Sequence, residues 1–502
     1  GTSAAQTLTA SNITLVSSTG PGASTNQVAF AVSDFAGNVS TASYVIWVDT
    51  VSYPGCVVTK NVGAGQAYAT ISAAVAALPA TLTGHSCVVI RDGATYAEQV
   101  TVQGFTNNGS SITIRADVGV RPTVDPPAAS TAAFRIANSS VNIFGIDAVV
   151  SQNVPYGVWA SSGYVQISSV NVSTSGSSGI YTAGIRISSW TTVSYSSVTA
   201  WNAHGLWLDL TAQKDTVSYS TFQANSASFY ALFVDAASTN TFTAVLASNP
   251  AGYGAYLTVG ADYNTISQST MTSNAAGYPA LYLRSSSNTI TRSYISNPAV
   301  GGYGAYLLTN ANYNTISQST MTSDTYPLFI NGASWNTVTR SLISNPTGTN
   351  AAVYFSGADY NTISLSTVSA SDRALYISFS SSNTITSSYI TSLNSYPAVL
   401  EGATYNSISL STFATGGLGV SLINAASYNT VSQSLFISPD NLALQLTSDS
   451  NYNTITQSTI SRNSSGGATH AAFNLYSSSN TIDRCYISNP PGRGVYVNWS
   501  GR

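Results

Sequence analysis

Apolar residues recur along this chain at fixed distances from a short marker, an Asn followed by Thr or Ser. The marker Asn stands at 240, 264, 288, 314, 336, 361, 383, 406, 429, 453 and 480, at intervals of 22 to 27 residues. Two residues after it comes Ile266, Ile290, Ile316, Val338 and so on to Ile482; seven after it comes Met271, Ile295, Met321, Ile343 and so on to Ile487. A third set of apolar pairs, such as Leu281/Leu283, Leu375/Ile377 and Val495/Val497, precedes the next marker. Each set alternates with polar residues, the period-2 signature of a strand. No helical repeat fits short strands broken by Gly, Pro, Ser and Asn at this interval. Three strands per unit predict a three-sided coil that pairs with the next at ~4.8 Å, and about 16 such coils give a rod roughly 75–80 Å long.

The alignment also predicts columns of side chains along the rod. The marker column, including Asn264, Asn288, Asn314, Asn336, Asn361 and Asn383, should point inward and bond amide to amide. Five residues on, Ser fills nine consecutive coils from Ser269 to Ser458, and Cys485 takes that place in the next, as a small buried residue. On the third strand an aromatic should face outward in eight consecutive coils: Trp207, Phe233, Tyr256, Tyr282, Tyr306, Phe329, Tyr354 and Tyr376. Val399, Ser421, Gln445 and Asn474 interrupt that column before Tyr496. Such a stripe reads either as a stabilising ladder or as a contact surface for sugar rings or another chain. The first strand carries outward hydroxyl pairs, Thr265/Ser267, Thr289/Thr291 and Thr315/Ser317 among them. Residues 251–274 return nearly unchanged as 301–324, and Gln268, Arg292, Gln318 and Arg340 alternate, so coils were duplicated in pairs.

The ends of the chain differ from the repeat. Ala67 to Leu78 reads as a short amphipathic helix, and Cys87 to Val102 as strand, turn and strand. That order resembles the entry to pectinesterase-like and pectate-lyase-like right-handed parallel β-helices, and the later coils resemble NosD-like repeats. The resemblance implies an all-β right-handed parallel β-helix whose first coil a helix caps. Residues 51–130 form the entry and 131–502 the repeats. Asn26 to Thr50, with its DFAGN turn and closing VDT, resembles the last strands of a bacterial immunoglobulin-like repeat. Residues 1–50 hold about three strands where such a sandwich needs about seven, so they read as a partial domain and an assembly element. The hydroxyl pairs resemble the face of ice-binding solenoids, a third and minor reading.

Composition narrows the function. Charged residues are 7% of the chain and the net charge is −3, which gives no electrostatic case for nucleic acid. No apolar run reaches the ~18 residues of a membrane-spanning helix. Of three cysteines, Cys56 and Cys87 flank the predicted helix and are placed to pair, which fits an extracellular or cell-surface location. Sites of the polygalacturonase type resemble Asn-Thr-Asp, Asp-Asp, Gly-His-Gly and Arg-Ile-Lys blocks; here the marker reads Asn-Thr-Ile, and the near matches are Ala203-His204-Gly205 and Arg186-Ile187-Ser188. Calcium-assisted lyase chemistry needs clustered carboxylates and hydrolysis needs two facing ones. The best candidate cluster is His204, Asp209, Asp235 and Arg186, near the third strand of neighbouring coils. His85 and His470 suggest no metal site, Asp34 and Asp49 read as turn residues, and nothing calls for a cofactor.

The leading expectation is therefore a non-enzymatic surface filament, sheath or adhesin subunit. Its partial sandwich and its uncapped last coil near Arg502 would join copies head to tail, because a heterologous contact that does not close builds a filament. The alternative is a protein that binds or degrades polysaccharide, with cell-surface glycans as partners; an enzyme of this kind would be a polysaccharide lyase or glycoside hydrolase.

Overall fold

The computed structural model describes residues 55–174, 179–210, 212–447, 449–462, 471–490 and 492–498, with the backbone of two further strands. Those strands, Ser24–Ser33 and Val39–Val48, pair antiparallel. The immunoglobulin-like expectation otherwise falls on residues outside the described ones, as do Asp34, Asp49 and His470.

From Val58 onward every long-range strand pairing is parallel and joins one coil to the next. The first sheet stacks eighteen strands from Val58–Val62 to Thr481–Asp483. The second runs from Thr95–Tyr96 to Tyr486–Ser488, and the third from Val100–Val102 to Val495–Val497. Eighteen coils exceed the expected sixteen, because the first coils lack the marker that sets the repeat. The column of coils is about 80 Å long at ~4.8 Å per coil. Inward residues of all three sheets form one continuous core, in which Ile266, Met271, Leu281 and Leu283 are at most 1% exposed.

The helix at the entry spans Ile71–Ala76, shorter than Ala67 to Leu78. Thr70 caps it, accepting from the Ala73 N–H at 3.2 Å. Glu98 accepts from the main-chain N–H groups of Ile71 and Ser72 at 2.7 and 2.9 Å, which fixes where the first turn begins. Cys56 and Cys87 are joined as a disulfide beside this entry.

Each marker Asn closes a corner. The residue before it adopts a left-handed conformation, with φ of 58° at Tyr263, 63° at Trp335 and 57° at Tyr360. A second left-handed residue follows four positions on, at Gln268, Arg292, Gln318 and Arg340. Side chains in this conformation cost roughly 1–2 kcal/mol per residue, so something must hold the corners. The inward Asn column does so: the Asn264 N–H donates to Asn288 Oδ1 at 2.8 Å, Asn288 to Asn314 at 2.8 Å, and Asn314 to Asn336 at 2.8 Å. The series continues through Asn361 and Asn383 to Asn480. The amide nitrogen donates to main-chain carbonyls; Asn264 Nδ2 reaches Ala237 O at 2.9 Å and Ala261 O at 2.7 Å. The Ser column repeats the device at the second corner: the Ser269 N–H meets Ser293 Oγ at 3.2 Å, and Ser269 Oγ donates to Ser267 O at 2.8 Å. Cys485 is half-buried rather than buried, because it stands in the last coil of its column.

One member of the Asn column is an acid. Asp215 is 1% exposed, accepts from the Thr191 N–H at 2.6 Å, and leaves Oδ2 without a partner where Asn would offer an N–H. Burial pushes its carboxyl up from 3.8 to about 7. The unfolded chain ionises near 3.8 and the folded chain near 7, so stability falls as pH rises between those values. Asp215→Asn should match the parent at pH 4 and exceed it at pH 8 by a few kcal/mol, at ~1.4 kcal/mol per pKa unit. Denaturant unfolding across pH checks this; a gain independent of pH would contradict it.

Candidate functional site

The third sheet sets its outward residues in strict register. Thr101, Arg135, Trp159, Arg186 and Trp207 occupy one position in successive coils, followed by Phe233, Tyr256, Tyr282, Tyr306, Phe329, Tyr354, Tyr376 and Val399. The rings stack on one another along the rod. Tyr256–Tyr282, Phe329–Tyr354 and Tyr354–Tyr376 each lie 4.9 Å apart, the last two nearly parallel at 2° and 7°. A second aromatic column, which the repeat spacing does not predict, runs beside it through Tyr230, Tyr253, Tyr278, Tyr303 and Tyr326. Its signal is a Tyr three or four residues before each of Phe233, Tyr256, Tyr282, Tyr306 and Phe329. Burial raises the hydroxyls of Tyr230 and Tyr282 to about 12, so they remain hydrogen-bond donors at neutral pH. Inside this stack each ring spends its faces on its neighbours and offers edges and hydroxyls outward.

The structure brings the four candidate residues together at the N-terminal end of the stack. Arg186 is itself a rung: its guanidinium lies 4.4 Å from the Trp207 ring centroid and 5.8 Å from that of Trp159. It pairs with Asp209 and donates to the Tyr156 hydroxyl at 2.7 Å. Asp235 is raised mainly by burial, and Thr258 Oγ1 donates to it at 3.4 Å. His204 is wedged among rings, 4.6 Å from Phe233 and 5.0 Å from Phe229. Its Nδ1 accepts the Tyr230 N–H at 3.0 Å, and burial lowers its pKa to about 4. A neutral imidazole with one nitrogen engaged and an arginine locked to its carboxylate make a rigid polar junction.

At the C-terminal end the stack stops. Tyr376 packs on Tyr354, but its partner in the next coil is Val399, followed by Ser421. The missing rings leave a cleft of about 260 Å³ lined by Arg373, Tyr376, Tyr396, Val399, Glu401 and Gln445. Its polar groups are held in place. Glu401 accepts from the Tyr376 hydroxyl on one oxygen and from Asn424 Nδ2 at 2.8 Å on the other. Burial, reinforced by Glu401, raises the Tyr376 hydroxyl to about 12. Arg373 lies 5.1 Å from the Tyr376 centroid and 3.5 Å from Asp372, and Gln445 bonds Ser421. The cleft thus joins an aromatic end-face to fixed acceptors and donors, suited to hold a ring that carries hydroxyl groups. From spacing alone, Val399, Ser421 and Gln445 are only an interruption of the aromatic column.

Elsewhere, the hydroxyls of the first sheet bond to one another along the rod, as Thr243–Ser267 at 3.2 Å and Ser364–Thr339 at 2.9 Å. Among the described residues, Cys56, His85 and Cys87 bring potential metal ligands within 4.8 Å of one another. The two sulfurs are joined to each other, and the His85 nitrogens lie 2.6 Å from Ser111 Oγ and 3.2 Å from Thr113 Oγ1.

Residues 127–271 and 351–502 match the family described as right handed beta helix region. Residues 250–415 match the family described as periplasmic copper-binding protein (NosD). That stretch contains no His or Cys, and its methionines Met271 and Met321 are buried in the core, so its residues do not fit copper. No curated protein matches the sequence. Among solved structures, the fold is similar to the PL6 family alginate lyase AlyGC, at 8% identity over 83% of this chain and 76% of that one, TM-score 0.38. It is similar to the tailspike protein of E. coli bacteriophage HK620 in complex with pentasaccharide, at 12% identity over 78% and 74%, TM-score 0.36. It is also similar to a pectin methylesterase from Aspergillus niger, at 13% identity over 62% and 86%, TM-score 0.23. These likenesses concern the fold.

The His204 environment makes a direct prediction. Its imidazole should titrate near pH 4 rather than 6.5 in an NMR titration of the folded protein. A depressed base keeps its stabilising contribution above 6.5 and loses it as pH falls toward 4. His204→Phe should therefore cost about 1–3 kcal/mol at pH 8, where the Tyr230 N–H loses its acceptor, and that deficit should shrink or reverse at pH 4–5, where the parent's imidazole is destabilising. A midpoint above 6 would contradict the buried, neutral assignment.

Proposed function

We propose that this chain, which belongs to the right-handed β-helix region family, binds polysaccharide through the cleft where its third-sheet aromatic stack ends. The observation that carries the reading is the stop at Tyr376, where Val399 and Ser421 replace rings and Glu401, Arg373 and Gln445 stand around the opening. Ring faces stack on apolar C–H surface and the oriented polar groups read hydroxyls. The continuous part of the stack acts as scaffold, since its faces are already covered. The filament expectation rests on chain ends of which residues 1–23 and 499–502 lie outside the described ones, and the cleft moves the reading toward a glycan. The disulfide between Cys56 and Cys87 supports work outside the reducing cytoplasm, in the periplasm or beyond it. No helix among the described residues is long and apolar enough to cross a membrane.

Affinity electrophoresis in gels containing neutral or acidic polysaccharides tests the proposal. Val399→Tyr restores the missing ring, fills the cleft and should lower retardation at least tenfold, a loss of about 1.4 kcal/mol. Its thermal midpoint should not fall. Asp209→Asn and His204→Phe, at the other end of the stack, should bind as the parent does. Unchanged retardation in Val399→Tyr, or loss in the other two alone, would overturn the assignment.

A further inference from the structure

The left-handed corner before each marker Asn carries its own exposed column. Bulky residues rarely adopt this backbone conformation, yet Tyr or Trp stands there at 263, 313, 335, 360, 405, 428 and 452, and at the equivalent corner of earlier coils at 164 and 190. Three of these stack as a block, with Tyr313–Trp335 at 6.1 Å and 9° and Trp335–Tyr360 at 4.3 Å and 2°. Tyr405, Tyr428 and Tyr452 form another, at 5.2 and 5.0 Å. Between blocks the column holds a serine. Ser287 separates Tyr263 from Tyr313, and Ser382 separates Tyr360 from Tyr405. These serines keep the corner geometry, with φ of 60° and 59° against 58° at Tyr263 and Tyr405. Each belongs to the same local sequence, Ser-Ser-Ser-Asn-Thr-Ile, at 285–290 and 380–385.

A missing ring leaves a slot. The flanking rings are two coils apart, about 9.6 Å at ~4.8 Å per coil. A ring midway would sit ~4.8 Å from each wall, wider than the ~3.5–4.0 Å contact of two flat carbon surfaces. The extra room suits a puckered ring with C–H bonds on both faces. The rim is polar and acidic. Asp262 and Asp359 directly precede the walls Tyr263 and Tyr360, and each carboxylate accepts one main-chain N–H, from Ser286 at 2.7 Å and Ser381 at 2.6 Å. The Ser287 and Ser382 hydroxyls make no hydrogen bond among the described residues. The walls are open to solvent: Tyr263 is 65% exposed and Tyr405 62%.

We infer that the slots over Ser287 and Ser382 each take one uncharged pyranose ring, sandwiched between two aromatic walls. They lie four coils apart, roughly 19 Å, so they act as repeated secondary subsites for an extended neutral glycan. This inference rests on the polysaccharide reading above but uses a different surface from the cleft. Acidic sugars are disfavoured by Asp262 and Asp359.

Hydroxyl-radical footprinting of the full chain, with and without soluble mixed-linkage β-glucan or galactomannan, tests it residue by residue. The wall residues Tyr263, Tyr313, Tyr360 and Tyr405 should be protected at least threefold, and Tyr428, inside its block, should change little. Ser382→Tyr continues the stack and should abolish ligand protection at Tyr360 and Tyr405 while sparing Tyr263. Ser382→Ala keeps the slot open and should protect as the parent does. Protection at Tyr376 and Tyr396 without protection at the walls overturns the slots and leaves the cleft standing. Protection at the walls alone supports the slots and removes the cleft. No protection by either polymer overturns the slots, and the acidic polymers of the gel assay then decide the cleft separately.

Discussion

From Asn240 to Asn453, the main-chain N–H of each marker asparagine ends on the side-chain oxygen of the asparagine one coil further on. Each buried amide also binds main-chain carbonyls, so removing one would strand several polar groups in a dry interior, at about 1–3 kcal/mol per group. The column therefore has little tolerance for slippage. A shift of one residue would turn every inward apolar side chain to the surface and break the amide series at once. The cost of two left-handed corners per coil is offset by the bonds that those corners make possible.

Strict register has a consequence at the surface. Outward residues are forced into columns at the coil spacing, so aromatic side chains stack whether or not they bind anything. In a rod of this kind a run of rings argues first for cohesion. In the proposed reading, recognition falls where a column breaks, because a missing ring exposes a face on its neighbour and opens volume above a small residue. Val399 in the third sheet and Ser287 and Ser382 at the corner are breaks of this kind. The charged cluster around Arg186 is the opposite case. Arg186 continues the stack, and the pair with Asp209 closes the junction.

Much of this was legible in the residues alone. The interval between Asn-Thr markers predicts the coil, and the inward places of Ile266 and Met271 follow from it. The columns of Asn and Ser, and the aromatic column from Trp207 to Tyr376, stand where the spacing puts them. The helix came out shorter, because Glu98 and Thr70 fix its first turn and periodicity does not register a cap. The cleft was not legible, since spacing shows Val399 as a gap without showing that Glu401 is tied to Tyr376 and Asn424. The second aromatic column is not legible from spacing, because it spans only five coils and shifts by one residue at Tyr278. His204 looked reactive by type, and only its burial among rings and its bond from the Tyr230 N–H show otherwise.

The central claim is that recognition belongs to the break in the third-sheet stack and cohesion to its continuous part. A crystal soaked with an oligosaccharide of a polymer that retards the protein tests it most directly. Sugar density should lie against Tyr376 above Val399, within reach of Glu401 and Gln445, with none along Tyr256 to Tyr354. Density along that continuous run, with the cleft empty, would contradict the account.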